Sequence, residues 1–196
     1  AGLLGGCVQP AAPSPSPSAS VTLDLSAPGQ ARSMVRKLIA KAGTAQLIQV
    51  EITTEWASIT VVKDNQPETW AWRDNTIKQV DSDVAYVEQR IFSIDDFNIS
   101  DVGGLFRAAS GISGSQSSQE LQIVDSSSGE VFMSVSTNPE SRTVFFYPNG
   151  ALLPTLDFST EGGIRDGLAD VTGPRSMALS IGVQSSLGAW LDLPGS

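Results

Sequence analysis

Histidine is absent from this 196-residue chain, and cysteine occurs once, at position 7. The first absence removes the commonest general base and a common metal ligand. The second excludes an internal disulfide. Serine is abundant, but no G-x-S-x-G elbow occurs and no Ser-x-x-Lys pair, since Ser33 is followed three positions on by Arg36. Gly103-Gly104 and Gly162-Gly163 lack the Lys-Ser/Thr that completes a phosphate loop. Basic residues are scarce, 12 against 21 acidic, and the net charge of −9 argues against nucleic acid, whose backbone requires clustered cations. No apolar run approaches the roughly 20 residues that cross a bilayer as a helix. Among carboxylates, Asp81 with Asp83 and Asp95 with Asp96 are the close pairs. Neither carries the glycine and terminal glutamate of a calcium loop, and turn or cap roles account for them. The residues therefore point away from an enzyme, and a hydrolase using carboxylates alone is the weakest reading; no metal or cofactor is expected.

What is present begins at the N-terminus. Leu4-Gly5-Gly6-Cys7 is followed by Gln9-Pro10-Ala11-Ala12-Pro13-Ser14-Pro15-Ser16-Pro17-Ser18. The four residues resemble the bacterial lipobox, in which a leucine and two small residues precede a cysteine that receives a diacylglyceryl group. That resemblance implies a lipoprotein of the cell envelope, held on the extracytoplasmic face of the membrane through Cys7. Residues 1–6 read as the end of a signal peptide whose basic and apolar regions precede this sequence. Residues 7–20 are then the lipidated cysteine and a Pro/Ser linker. Alternating proline favours extended polyproline II, and at about 3.1 Å per residue the linker reaches roughly 40 Å from the lipid surface.

The remainder, 21–196, contains a pattern similar to itself. Thr22-Leu23-Asp24-Leu25-Ser26 to Arg32 aligns without gaps on Thr155-Leu156-Asp157-Phe158-Ser159 to Arg165, with six of eleven positions identical. A weaker copy is Ile94-Asp95-Asp96-Phe97-Asn98-Ile99-Ser100-Asp101. Ser26, Asn98 and Ser159 are the expected N-caps, and Phe97 the expected staple against Val102. Helical spacing follows each: Met34, Val35, Leu38, Ile39 and Ala42 stopped by Gly43; Val102, Leu105, Phe106 and Ala109 stopped by Gly111; Ile164, Leu168 and Val171 stopped by Gly173-Pro174.

Strand-like runs come after each helix. The first unit (about 22–93) offers 47–53, 58–62, 69–73, 76–80 and an additional strand at 84–92, with turns at 64–67 and 74–75. The second (94–154, with a last strand running on to 156) offers 120–124, 131–135, 143–147 and 151–156. The third (155–196) offers only 177–183 and 187–193. Short strands joined by tight turns pair antiparallel, and amphipathic helices must cover one sheet face. The expected fold is α+β: antiparallel sheet with helices packed on one face, built from repeated helix-then-strands units in a single domain. This order resembles the tandem modules of PepSY and β-lactamase-inhibitor-protein type. It is also similar to actinobacterial lipid-carrier lipoproteins, in which a curved sheet and helices enclose an apolar cavity.

Two surfaces are candidates for binding. Trp70 and Trp72 lie two apart on one strand and share a face, and Phe146 occupies the corresponding place in the second unit. These rings are either the sheet face beneath the helices or an apolar groove with Trp56 and Tyr86 at its rim. Arg32, Arg36, Lys37 and Lys41 crowd four of the twelve basic residues into ten positions of the first helix. They are either its solvated side or a face resting on anionic headgroups. The expected function is a non-enzymatic binding module for an envelope protein or wall component. The alternative is a carrier of a lipid or other apolar ligand between helices and sheet.

Overall fold

The structure, a computed structural model, describes residues 23–82, 89–125, 130–137, 143–154, 156, 159–172, 180–184 and 188–192. Along the chain run helix α1 (Gln30–Ala42), strands β1 (Leu47–Ile52), β2 (Ala57–Lys63), β3 (Gln66–Arg73) and β4 (Thr76–Val80). A short 3-10 turn (Ile94–Asp96) then leads to helix α2 (Val102–Ser113) and strands β5 (Gln119–Asp125), β6 (Val131–Thr137) and β7 (Val144–Phe146). Helix α3 (Glu161–Thr172) precedes β8 (Ser180–Gln184) and β9 (Gly188–Asp192). The protein is α+β. Seven strands form one antiparallel sheet in the order β4-β3-β2-β1-β5-β6-β7, while β8 and β9 form a separate hairpin against which α3 packs.

Helix α1 forms because Ala31, Met34, Val35, Leu38 and Ala42 recur at helical spacing and are all buried. Gly43 ends it with φ 77°, a left-handed conformation that glycine adopts freely, and donates its N–H to the Ile39 carbonyl at 2.9 Å. In α2 the buried stripe is Val102, Leu105, Phe106 and Ala109. Both helices lie over the same sheet face, α1 on β2 and β3, α2 on β5, β6 and β7. The core between them takes alternate residues of each strand: Val50 and Ile52; Ala57, Ile59 and Val61; Leu121 and Ile123; Met133 and Val135; Val144 and Phe146. A bulge at Ile48 shifts the register between Leu47↔Val61 and Gln49↔Thr60, so that Leu47 also enters the core.

The hairpins β2–β3 and β3–β4 turn through Asp64-Asn65 and Asp74-Asn75, every one of these residues having positive φ. That is the two-residue turn whose twist matches the strands, and Asn and Asp tolerate it best after glycine. The first turn is thus shorter than 64–67: Gln66 and Pro67 belong to β3. Pro67 pairs with Val62 beyond the stretch of β3 that β4 covers, so its missing N–H breaks no ladder bond on that side.

The expected caps move. α1 begins at Gln30 behind Gly29, which carries no side-chain cap, and Ser26 instead bonds Asp24 Oδ1 through both its N–H (2.9 Å) and its hydroxyl (2.7 Å). Ser100 bonds Asn98 Oδ1 in the same way, so the turn that answers to Asp24-Leu25-Ser26 is Asn98-Ile99-Ser100. Leu25 and Ile99, the middle residues, are both fully buried. The α2 cap is Asp101, whose carboxylate accepts the Gly104 N–H at 2.8 Å. With the cap there, Phe97 is too far upstream to be the staple and packs edge-on against Phe92, ring centroids 5.3 Å apart. Thr160, one residue past Ser159, accepts the Gly163 N–H at the start of α3.

Other boundaries shift for local reasons. α2 runs through Gly111, exposed and tolerated at the cost of one helical glycine, and ends at Gly114 with φ 73°. Of 84–92 only 89–92 are described, and there Phe92 alone makes a bridge, to Leu47. β7 is three residues long, and the described residues of 151–156 contribute only the bridge Leu152↔Phe146, where Pro148-Asn149-Gly150 makes a tight turn (Gly150 φ 86°) close to Pro154. The expected stop at Gly173-Pro174 lies outside the described residues.

The two helix starts lock together at their backbones. Gly29 donates its N–H to the Ser100 carbonyl at 2.7 Å, and Gly103 donates to the Ser26 carbonyl at 3.1 Å. Each helix thus satisfies one of its otherwise unpaired N-terminal donors on the turn that precedes the other.

Candidate functional site

The side of the sheet away from the helices is polar, and its register can be followed strand by strand. One row of paired residues runs Lys78↔Ala71↔Ser58↔Glu51↔Gln122↔Ser134↔Phe145, spanning all seven strands. The next runs Val80↔Thr69↔Thr60↔Gln49↔Val124↔Phe132. These residues alternate with the core residues of the same strands, as the period of two requires. Glu51 sits at the centre, half-buried, accepting from Gln49 Nε2 and Ser58 Oγ, each at 2.8 Å. Glu120 accepts from Gln122 Nε2 at 2.8 Å. Thr60, almost wholly buried, shares a 2.9 Å hydroxyl bond with Thr69. A depression of about 280 Å³ opens here, lined by Gln49, Glu51, Ser58, Thr60, Arg73 and Asp81 among others.

Electrostatically this face carries the carboxylates of Glu51 and Glu120 at its centre and the cations Lys78 and Arg73 nearer the β4 edge. Burial pushes the Glu120 carboxyl above its ordinary value, and the Gln122 amide opposes that shift; Glu51 adds to it and Arg73 opposes it. Among the described residues neither Glu51 nor Glu120 has a cation within ion-pair distance. Arg73 places its guanidinium 4.5 Å from the Trp56 ring centroid, a cation–π contact. At the other end, Phe145 and Tyr147 are exposed by 46% and 41%, enough area for an apolar contact beside the polar row.

The aromatic residues named from the sequence do not converge. Trp72 (4% exposed) and Phe146 (1%) are packed in the core beneath the helices, and Trp70 lies partly buried against it with its indole N–H unpartnered. Neither Trp72 nor Phe146 lines the polar depression. Trp56 sits instead in the β1–β2 turn, under the guanidinium of Arg73 at the end of β3, and Tyr86 and Cys7 lie outside the described residues.

The basic helix is partly neutralised. Arg32 and Arg36 both reach Asp95, at 3.3 and 3.0 Å, and Arg32 also donates to the Phe97 carbonyl. Lys37 and Lys41 are exposed and have no ion pair among the described residues. Asp95 is thereby committed to the arginines, Asp81 lines the polar depression, and Asp83 lies outside the described residues. A second depression, about 500 Å³, lies beside the locked helix starts and includes Ser26, Gly103, Arg107 and Gln119. Among the described residues no three acidic side chains or cysteines gather as a metal site, and no helix is long and apolar enough to cross a membrane.

The central row was half legible in the sequence. Gln49 and Glu51 alternate with Val50 and Ile52, as Glu120 and Gln122 do with Leu121 and Ile123. What brings Glu51 beside Gln122 is the β1–β5 pairing, across some seventy positions, for which the sequence holds no local signal. Compared with protein-family models, curated proteins and solved structures, the chain matches none.

Proposed function

We propose that this protein is a membrane-anchored lipoprotein of the cell envelope that acts as a non-enzymatic binding module, with the polar face of its seven-stranded sheet as the surface that takes a protein partner. The observation that supports this reading is the cross-strand row centred on Glu51 and Gln122. Its half-buried carboxylate, Glu51, is held by neutral donors with no cation at ion-pair distance among the described residues, and exposed Phe145 and Tyr147 lie at its end. Interfaces combine such features, an aromatic anchor with polar groups fixed in register. Cys7 and the Pro/Ser linker would supply the tether. The position of Trp72 and Phe146 within the core favours this reading over an apolar carrier.

The test is co-purification with the full chain from its own membranes. Gln122→Arg, a cation set beside Glu51 and Glu120 in the middle of the polar face, is expected to displace the partner while leaving the fold intact. Retention of the same partner by Gln122→Arg, or recovery of a bound lipid in place of a protein, sinks the proposal.

A further inference from the structure

We infer that the exposed face of α1 rests on an anionic phospholipid surface. The inference adds an orientation to the proposed membrane tether and rests on that reading for its biological setting. α1 carries four cations and no carboxylate, in a chain whose net charge is −9. Asp95 binds it from outside and occupies Arg32 and Arg36, which fixes those two side chains in place. Lys37 and Lys41 remain uncompensated beside them. Between the cations the exposed stripe is made of small residues, Gly29, Ser33 and Ala40, leaving a hollow of about 480 Å³ bounded by Arg32, Arg36 and Lys37. A phosphate headgroup fits such a hollow: the Arg36 guanidinium keeps donors beyond the one spent on Asp95, Lys37 adds a point charge, and no bulky side chain fills the floor.

The acidity of the whole molecule does not overrule this. Near α1, Asp95 is already spent on Arg32 and Arg36 and exposed Asp96 beside it offsets one further charge, while Glu51 and Glu120 lie on the far side of the sheet, beyond a helix layer about 10 Å thick, where screening at physiological salt reduces interactions beyond about 8 Å. α1 is also the first element after the linker, so a tethered domain meets the bilayer at millimolar effective concentration and needs only weak affinity. Because α1 covers one sheet face and the polar row lies on the other, this orientation turns the row away from the lipid, toward a partner.

The experiment uses the full chain with Cys7→Ser, so that no acyl group contributes, and vesicles of phosphatidylcholine with and without phosphatidylglycerol. Co-sedimentation is expected to require phosphatidylglycerol and to weaken with added salt. Lys37→Ala with Lys41→Ala should lower the partition coefficient roughly thirtyfold, about fivefold for each lysine, and Lys78→Ala on the opposite face should leave it unchanged. Binding indifferent to phosphatidylglycerol, absent altogether, or insensitive to the lysine pair overturns the inference. Those outcomes are independent of the anchor, which is tested separately by whether Cys7→Ser releases the protein from membranes in cells.

Discussion

Replacing Gly103 by alanine places a methyl carbon 2.6 Å from the Ser26 carbonyl oxygen, closer than real contacts allow, and 3.2 Å from Arg107 Nη1. The arginine can swing aside, but the Ser26 oxygen is backbone and is held by the Gly103 N–H at 3.1 Å. Relief therefore requires the start of α2 to retreat from the turn before α1. Three effects set the magnitude. Retreat weakens a hydrogen bond worth about 0.5–1.5 kcal/mol net. Forcing atoms into a packed contact costs about 1–3 kcal/mol. Alanine in place of glycine returns up to about 1 kcal/mol of helix propensity. The expected result is a loss of roughly 1–3 kcal/mol, the packing cost being the largest of the three. Gly111, in the same helix, is the control: a Cβ there meets nothing within 4 Å, so Gly111→Ala should gain up to about 1 kcal/mol from propensity alone. Urea denaturation followed by tryptophan fluorescence should put the two alanine variants about 1–4 kcal/mol apart at unchanged slope, with melting temperatures shifting by about 2–4 °C per kcal/mol. A Gly103→Ala protein as stable as Gly111→Ala would refute the interlocked helix starts.

Two further outcomes follow from the sheet. Glu120→Gln keeps an oxygen for the Gln122 amide but removes the buried charge. Because the folded-state value of Glu120 is raised, its favourable contribution is complete below its ordinary value of 4.5 and lost as pH climbs through the raised one. Urea midpoints should therefore show Glu120→Gln gaining on the parent as pH rises from 4 to 7; a gap constant over that range would contradict the shift. Trp72→Ala and Phe146→Ala should each cost roughly 3–5 kcal/mol, as expected for large side chains removed from a filled core. Losses below about 1 kcal/mol would instead indicate rings lining a cavity and revive the carrier reading.

Much of the fold was legible locally. The stripes Met34-Val35-Leu38 and Val102-Leu105-Phe106 define their helices, and Asp64-Asn65 and Asp74-Asn75 define their hairpins, because periodicity and turn chemistry act within a few residues. The caps were misplaced for a physical reason. A serine two residues after Asp or Asn can close a turn on that neighbour as readily as it can cap a helix, and nothing in the local sequence distinguishes the two. The candidate surface was missed for another. Aromatic residues drew attention to the face that became core, whereas the polar row depends on pairing distant strands. Trp70 and Trp72 did share a face, but which face met the helices was decided by their partners Ile59 and Ala57.

The β1–β5 seam also determines how this chain can go wrong. Both strands are interior ones, and with either half absent the other presents a bare ladder of N–H and C=O groups backed by Leu47, Val50 and Ile52 or by Leu121 and Ile123. The seam is antiparallel, so a second molecule's β1 can approach with the same polarity as the β5 it replaces. A β1–β1 pairing across this seam would be two-fold symmetric, and such a contact closes on itself as a pair rather than growing into an open-ended fibre.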